Sequence, residues 1–143
     1  MGDLPASLIT AVAVQVSCQV FKLVYYSIAD RRFTIGYLVT AGGMPSAHTA
    51  FVTALSVAVG IRNGFESDVF AVAFVFSAIV IYDAYRFRGH VERQGKVLNR
   101  VIARYHPSET DRVPEMVGHS LGEIAVGLLL GGGLSAVATL LWP

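Results

Sequence analysis

Four stretches of this chain are too apolar to be left in water: roughly Leu8 to Ile28, Ala47 to Ile61, Val69 to Tyr85 and Ile124 to Trp142. About 20 apolar residues cross the hydrocarbon of a bilayer, and a backbone in lipid must satisfy its own hydrogen bonds, so these stretches predict helices. The second is short, and charge interrupts the others: Lys22 inside the first, Asp83 near the end of the third, Glu123 at the mouth of the fourth. A lipid-facing charge costs about 2.5 kcal/mol or more, so such residues are expected to face a polar cavity. For Lys22 the alternative is a stem that snorkels to the interface. A hydrophobic share of 54% and a mean hydropathy of +0.57 over 143 residues do not suit an ordinary soluble protein of this size. The expectation is an all-α integral membrane bundle of about four embedded helices plus a polar amphipathic insertion, in a single domain over residues 1–143.

The net charge of +1 says little, but its distribution says more. Of eleven Lys and Arg residues, all but Arg62 fall in Lys22 to Arg32 or in Arg86 to Arg112. Four spans put both segments on one side, which the positive-inside rule makes cytoplasmic, with the termini opposite. The first stretch lacks a basic lead and a small-residue cleavage site, so a permanent helix is expected rather than a cleaved signal. Cys18 is the only cysteine, which leaves no internal disulfide or thiolate metal cluster and reads as a small buried apolar side chain. Within the polar insertion from Arg86 to Val117, the spacing of Val97, Leu98, Val101 and Ile102 predicts a short amphipathic helix that stops around His106-Pro107. Its basic face suits anionic headgroups. Gly127-x-x-x-Gly131 and the run Gly131-Gly132-Gly133 predict close helix packing, with helix dimerisation, and so a homo-oligomer, as the second reading.

Two short clusters carry chemistry. Gly42-Gly43-Met44-Pro45-Ser46-Ala47-His48 places a proline, a hydroxyl and an imidazole where an apolar helix begins. Glycines let a backbone approach an anion closely, and the free N–H groups of a first helical turn, to which Pro45 is suited, attract phosphate oxygens. An imidazole titrating near neutrality, here His48, can give a proton to a leaving oxygen or take one from it. A Gly-Pro turn with an ordinary helix cap explains the same residues. The second cluster is Gly118-His119-Ser120-Leu121-Gly122-Glu123. If a helix starts before it, His119 and Glu123 project from one face, and the carboxylate would fix the ring tautomer and raise the basicity of the other nitrogen. A plain helix-surface pair is the alternative.

Together, Lys22, Arg31, the segment Gly42 to His48, and His119 with Glu123 resemble the superfamily of type 2 phosphatidic acid phosphatases and vanadium haloperoxidases, whose signatures are K-x6-RP, PSGH and SR-x5-H-x3-D. The chain is most similar to the small divergent membrane branch, marked by GGMPSSH, YDAxGVRRxAGxQAxxLN and GHxPxEV. Here these read GGMPSAH, Tyr82-Asp83-Ala84-Tyr85-Arg86-Phe87-Arg88 through Gln94 to Asn99, and GHSLGEI, over a region from about Gln19 to Gly131.

The resemblance implies a membrane phosphomonoesterase or pyrophosphatase that uses no metal and no cofactor, acting on a lipid phosphate and not on nucleic acid. Phosphatidic acid, phosphatidylglycerophosphate and polyprenyl phosphates or pyrophosphates fit equally. By resemblance His119 is the nucleophile, Glu123 stands for the family aspartate and His48 protonates the leaving alcohol. Lys22, Arg31, Arg88, Ser46 and the N–H groups of Gly43 and Ser46 would bind the phosphoryl oxygens, where charge stabilisation is the main catalytic lever. The chain departs from the pattern in three places. Lys22 and Arg31 are nine apart with no proline following, a spacing the divergent branch shares. The third signature is split, so Arg88, which follows an apolar helix, competes with Arg112 seven residues before His119. The GVRRxAG stretch reads Arg86-Phe87-Arg88-Gly89-His90-Val91-Glu92 and loses two glycines. Asp83 is expected to pair with a nearby arginine. A vanadate-dependent haloperoxidase and a non-catalytic protein that binds or transports an anionic lipid are the competing functions.

Overall fold

A computed structural model describes residues 4–39, 43–106, 108, 111–113 and 118–142. Gly42 and Pro107 of the motifs above lie outside the described residues. Among the described residues five α-helices follow one another: α1 Ala6–Ala29, α2 Ala47–Asn63, α3 Asp68–Tyr85, α4 Phe87–Tyr105 and α5 Leu121–Leu141, with a short 3-10 helix at Ile35–Val39 after α1. No strand occurs among the described residues. The protein is an all-α membrane bundle.

Local chemistry sets the helix ends. Ser46, Ser67 and Ser120 cap α2, α3 and α5, each accepting the backbone N–H three residues on (Thr49, Phe70 and Glu123). Gly64 ends α2 at φ +90, a conformation open to glycine at little cost. Two expectations shift by a few residues. Pro45 precedes the cap instead of occupying the first turn, because Ser46 supplies the capping hydroxyl. Likewise α5 starts at Leu121, after His119, because Ser120 and Glu123 form a capping box. The amphipathic helix is longer than expected, following α3 with only Arg86 between them and ending at Tyr105, where His106 caps it.

Among the described residues three helical segments are long and apolar enough to cross a membrane: Ala6–Ala29, Asp68–Tyr105 and Leu121–Leu141. The expected fourth, α2, has 17 residues, about 26 Å at 1.5 Å per residue, less than the roughly 30 Å of a hydrocarbon core. It stays apolar because it is the central helix, packed against α1, α3 and α5. The packing is that of a membrane protein, with small residues inside and large ones outside. Ala47, Ala50, Ala54 and Ala58 are fully or almost fully buried along α2, whereas Val72 and Leu129 are 70% and 77% exposed.

The glycines of α5 close this interface. A Cβ on Gly127 would stand 2.7 Å from the Ser46 carbonyl oxygen, and one on Gly131 would stand 2.5 Å from that of Ala50. Hydroxyls join the helices where no water competes: Ser77 Oγ donates to Val52 O at 2.9 Å and Ser135 Oγ to Ala54 O at 2.7 Å. Cys18 is buried beside Ala11 and Val14, as expected of a small apolar side chain.

Candidate active site

The bundle alternates direction, so the C-terminal ends of α1 and α3 and the N-terminal ends of α2 and α5 gather on one side. That end holds the residues singled out in the sequence. His119 is buried just before α5, and its N–H donates to the carbonyl of Ala84 near the end of α3 at 3.3 Å. Its Nδ1 lies 3.0 Å from Glu123 Oε2, which also accepts the Ser120 N–H at 3.2 Å. The ring of His48, on the first turn of α2, has its centroid 6.4 Å from that of His119. His119 Nε2 and His48 Nδ1 are buried atoms with no hydrogen-bond partner among the described residues. Two imidazoles thus lie near each other, tilted by 58°, and one is oriented by a carboxylate.

Cations complete the cluster. Lys22, 1% exposed, turns into the bundle instead of snorkelling, and lies within electrostatic reach of Glu123. Arg88 pairs with Asp83 through Nε and Oδ2 at 3.1 Å. The charges of both Arg88 and Lys22 act on both histidines. Burial holds the His119 imidazole below the ordinary histidine range, opposed by its hydrogen bond to Glu123 and reinforced by Lys22 and Arg88. A neutral ring is the nucleophilic form.

Beside this cluster opens a cavity of about 360 Å³, lined by Gly43, Tyr85, Gly89, Glu92, Arg93, Gly118, His119, Ser120 and Glu123. Gly43 has φ +87, and a Cβ there would stand 2.6 Å from the Tyr26 hydroxyl oxygen, which accepts the Met44 N–H at 3.2 Å. The loop before α2 is therefore pressed against Tyr26, and only glycine fits at 43. The second loop is held as closely. Gly118 donates its N–H to Glu92 Oε2 at 3.2 Å, and a Cβ on it would stand 2.9 Å from Gly89 Cα.

Two residues expected in the phosphate cage stand apart from it. Arg31 lies exposed in the turn after α1, at φ 50. Ser46 is fully buried, its N–H donating to the Glu123 carbonyl at 3.1 Å and its hydroxyl bonded to Thr49, so both its donors are committed inside the protein. Of the competing arginines, Arg88 reaches the histidines, while Arg112 is exposed and bonds the Asp111 carbonyl at 3.3 Å.

Sequence reasoning missed Glu92, Arg93 and Tyr26. The first two were hidden in an apparently ordinary amphipathic helix, although Glu92 replacing a family glycine just three residues after Gly89 was a usable signal. Among the described residues no group of three or more His, Cys, Asp or Glu side chains gathers as a metal site would require.

A membrane-embedded helical bundle with a buried histidine beside a half-buried one, a carboxylate behind the first ring and basic side chains whose charges act on both defines the class. The profile of the divergent PAP2 family matches residues 5–134, and the chain belongs to that family. It is 31% identical over 138 residues to the uncharacterized membrane protein YuiD of Bacillus subtilis (strain 168), covering 87% of each chain. No solved structure matches it.

Proposed function

We propose that this protein is a lipid phosphatase of the membrane, cleaving a phosphomonoester or pyrophosphate through a phosphohistidine. The observation that carries the reading is the arrangement of His119, with Nδ1 held by Glu123 and Nε2 without a partner among the described residues, its ring 6.4 Å from that of His48. In the proposed first step His119 Nε2 attacks phosphorus while the bond to the leaving oxygen breaks, and His48 gives that oxygen its proton. His48, now neutral, takes a proton from water as the water oxygen attacks phosphorus, which releases phosphate and restores His119. Glu123 balances the positive charge that forms on the ring. Lys22 and Arg88, whose charges act on both histidines, stabilise the phosphoryl oxygens, and Gly43 lines the cavity beside His119. Arg31 and Ser46 have no part in this arrangement of the site.

A substrate whose tail remains in lipid explains why the cluster sits at one end of a bundle with an apolar outer surface. The basic segments Lys22 to Arg32 and Arg86 to Arg112 flank that end, which by the positive-inside rule is the cytoplasmic one. The test is phosphate release by detergent-purified protein from phosphatidic acid, phosphatidylglycerophosphate and polyprenyl phosphates, with and without vanadate and chelator. Release that vanadate stops and chelator leaves intact is expected. No release from any of them, in protein shown to be folded, would overturn the reading.

A further inference from the structure

Helix α4 has an apolar edge that no other part of the described protein covers. Val97, Leu98, Val101 and Tyr105 are about half or more exposed, and α3 is the one helix that packs against α4 among the described residues. Their spacing puts them on one side of the helix. Two hollows run along this side. The first, about 370 Å³, lies between His90, Arg93 and Gln94 at one end and Val97, Leu98 and Val101 at the other. The second, about 450 Å³, shares Val97 and Val101 and continues past Arg100 and Arg104 to Tyr105.

The hollows join the active site at one residue. Arg93 lines the first of them and also lines the cavity beside His119. Arg93 therefore joins the cavity beside His119 to a track of about 18 Å, at 1.5 Å per residue from position 93 to 105, which is apolar along Val97, Leu98 and Val101 and then flanked by Arg100, Arg104 and Tyr105. A ligand that matches it in order has phosphate at one end, then a linkage within reach of a cation, then an apolar chain. We infer that the α4 groove binds the acyl or prenyl chain of a phosphorylated amphiphile, with Arg93 at the junction of head and tail. The inference rests on the phosphatase reading for what happens to the head, and adds where the tail lies. The chain runs along the surface helix instead of between the spanning helices.

Alkylphosphonates, which the protein cannot hydrolyse, test this without any need for turnover. Affinity of methyl-, butyl- and octylphosphonate is measured for the protein in phosphatidylcholine nanodiscs. Burying a chain tightens binding by about fourfold per methylene, so octylphosphonate should bind far more tightly than methylphosphonate. In Val97→Gln/Val101→Gln the octyl-to-methyl ratio should fall at least tenfold, while Val72→Gln, on the lipid face of α3, should leave it unchanged. An equal ratio in wild type and the double variant overturns the groove.

If the double variant does not fold, photolabelling of the unmodified protein by a decylphosphonate with a terminal diazirine decides instead. Labelling within residues 97–105 that excess decylphosphonate abolishes and decanol does not supports the groove. Labels on α1, α3 or α5, or equal competition by decanol, means that ordinary bilayer lipid covers this edge and overturns it. Turnover of p-nitrophenyl phosphate, which has no chain, tests the phosphatase reading separately, so the two failures are distinguishable.

Discussion

The Glu123 carboxylate lies 3.0 Å from His119 Nδ1 and at the same time accepts the Ser120 N–H at 3.2 Å, so one side chain both closes the cap of α5 and orients the buried imidazole. Glu123→Gln should preserve the cap and lower phosphatase turnover by about ten- to a hundredfold, the usual effect of removing a partner that orients a catalytic histidine. Ser120→Ala should instead cost stability, about 1 kcal/mol, with a smaller effect on rate. Thermal unfolding and turnover measured on the same preparations separate the two roles. Equal rates in Glu123→Gln and wild type would reduce the pair to a helix cap.

The pH dependence follows from the burial of His119. Its folded-state pKa lies below the ordinary 6.5, so the neutral, attacking ring persists below pH 6.5 and is lost only as pH falls through the lowered value. Glu123 opposes that lowering, so Glu123→Gln should move the acid limb of kcat/KM to still lower pH while reducing its plateau. The sign for stability is the reverse of a salt-bridged histidine. The unfolded chain takes up a proton that folded His119 resists, so stability should fall as pH drops below about 6.5 and level off below the folded value. A limb displaced to higher pH in Glu123→Gln would contradict this electrostatic picture.

Arg88, and not Arg112, is expected to serve the phosphate. Its charge acts on both histidines, and Asp83 holds its Nε at 3.1 Å, which leaves the remaining guanidinium donors for the ligand. Arg88→Lys should cost roughly tenfold or more in kcat/KM, about 1.4 kcal/mol of barrier, because a point charge cannot replace the fork. Arg112→Ala should leave kcat/KM near wild type. The reverse pattern in a phosphate-release assay would assign the arginine to the segment before His119.

Much of this organisation was legible in the residues themselves. Apolar length marks the helices, and the charges at Lys22, Asp83 and Glu123, costly in lipid, mark the end that is polar inside. Small-residue spacing likewise gives away the α5 seam at Gly127 and Gly131. Other features depend on tertiary contact and have no local signature. Arg31 matches only the wider spacing of the divergent branch, and the turn after α1 carries it outward. Ser46 matches a motif, yet its N–H is taken by the Glu123 carbonyl, 77 residues later in the chain. Glu92 reaches Gly118 only because α4 folds against the second loop. The start of α5 was legible and overlooked: Ser120-x-x-Glu123 is a capping box, which places His119 before the helix.

The α2–α5 seam offers a stability test independent of catalysis. Gly131→Ala drives a methyl to within 2.5 Å of the Ala50 carbonyl oxygen, backbone that cannot easily move, and should destabilise by about 1–3 kcal/mol. Gly133→Ala meets nothing within 4 Å and should stabilise by up to about 1 kcal/mol through helix propensity. Unfolding in detergent checks both, and similar stabilities for the two variants would mean that α5 does not pack on α2 along Gly131.

Topology ties the site to one face of the membrane. In a Cys18→Ser background, single cysteines at positions 31 and 104 should react with an impermeant thiol reagent from the same, cytoplasmic side, and one at position 63 from the other. Reaction of 31 and 104 from opposite sides would part the two halves of the site.

The most direct measurement is the capture of the phosphoryl group on the protein. Detergent-purified protein is mixed with a radiolabelled lipid phosphate, quenched in alkali, where phosphohistidine survives, and digested to locate the label. The expected result is label on His119 in wild type, absent in His119→Ala, and still formed from p-nitrophenyl phosphate in His48→Ala, where protonation of the leaving group matters least. Full phosphate release by His119→Ala, or label on any other residue, would contradict the proposed role of His119.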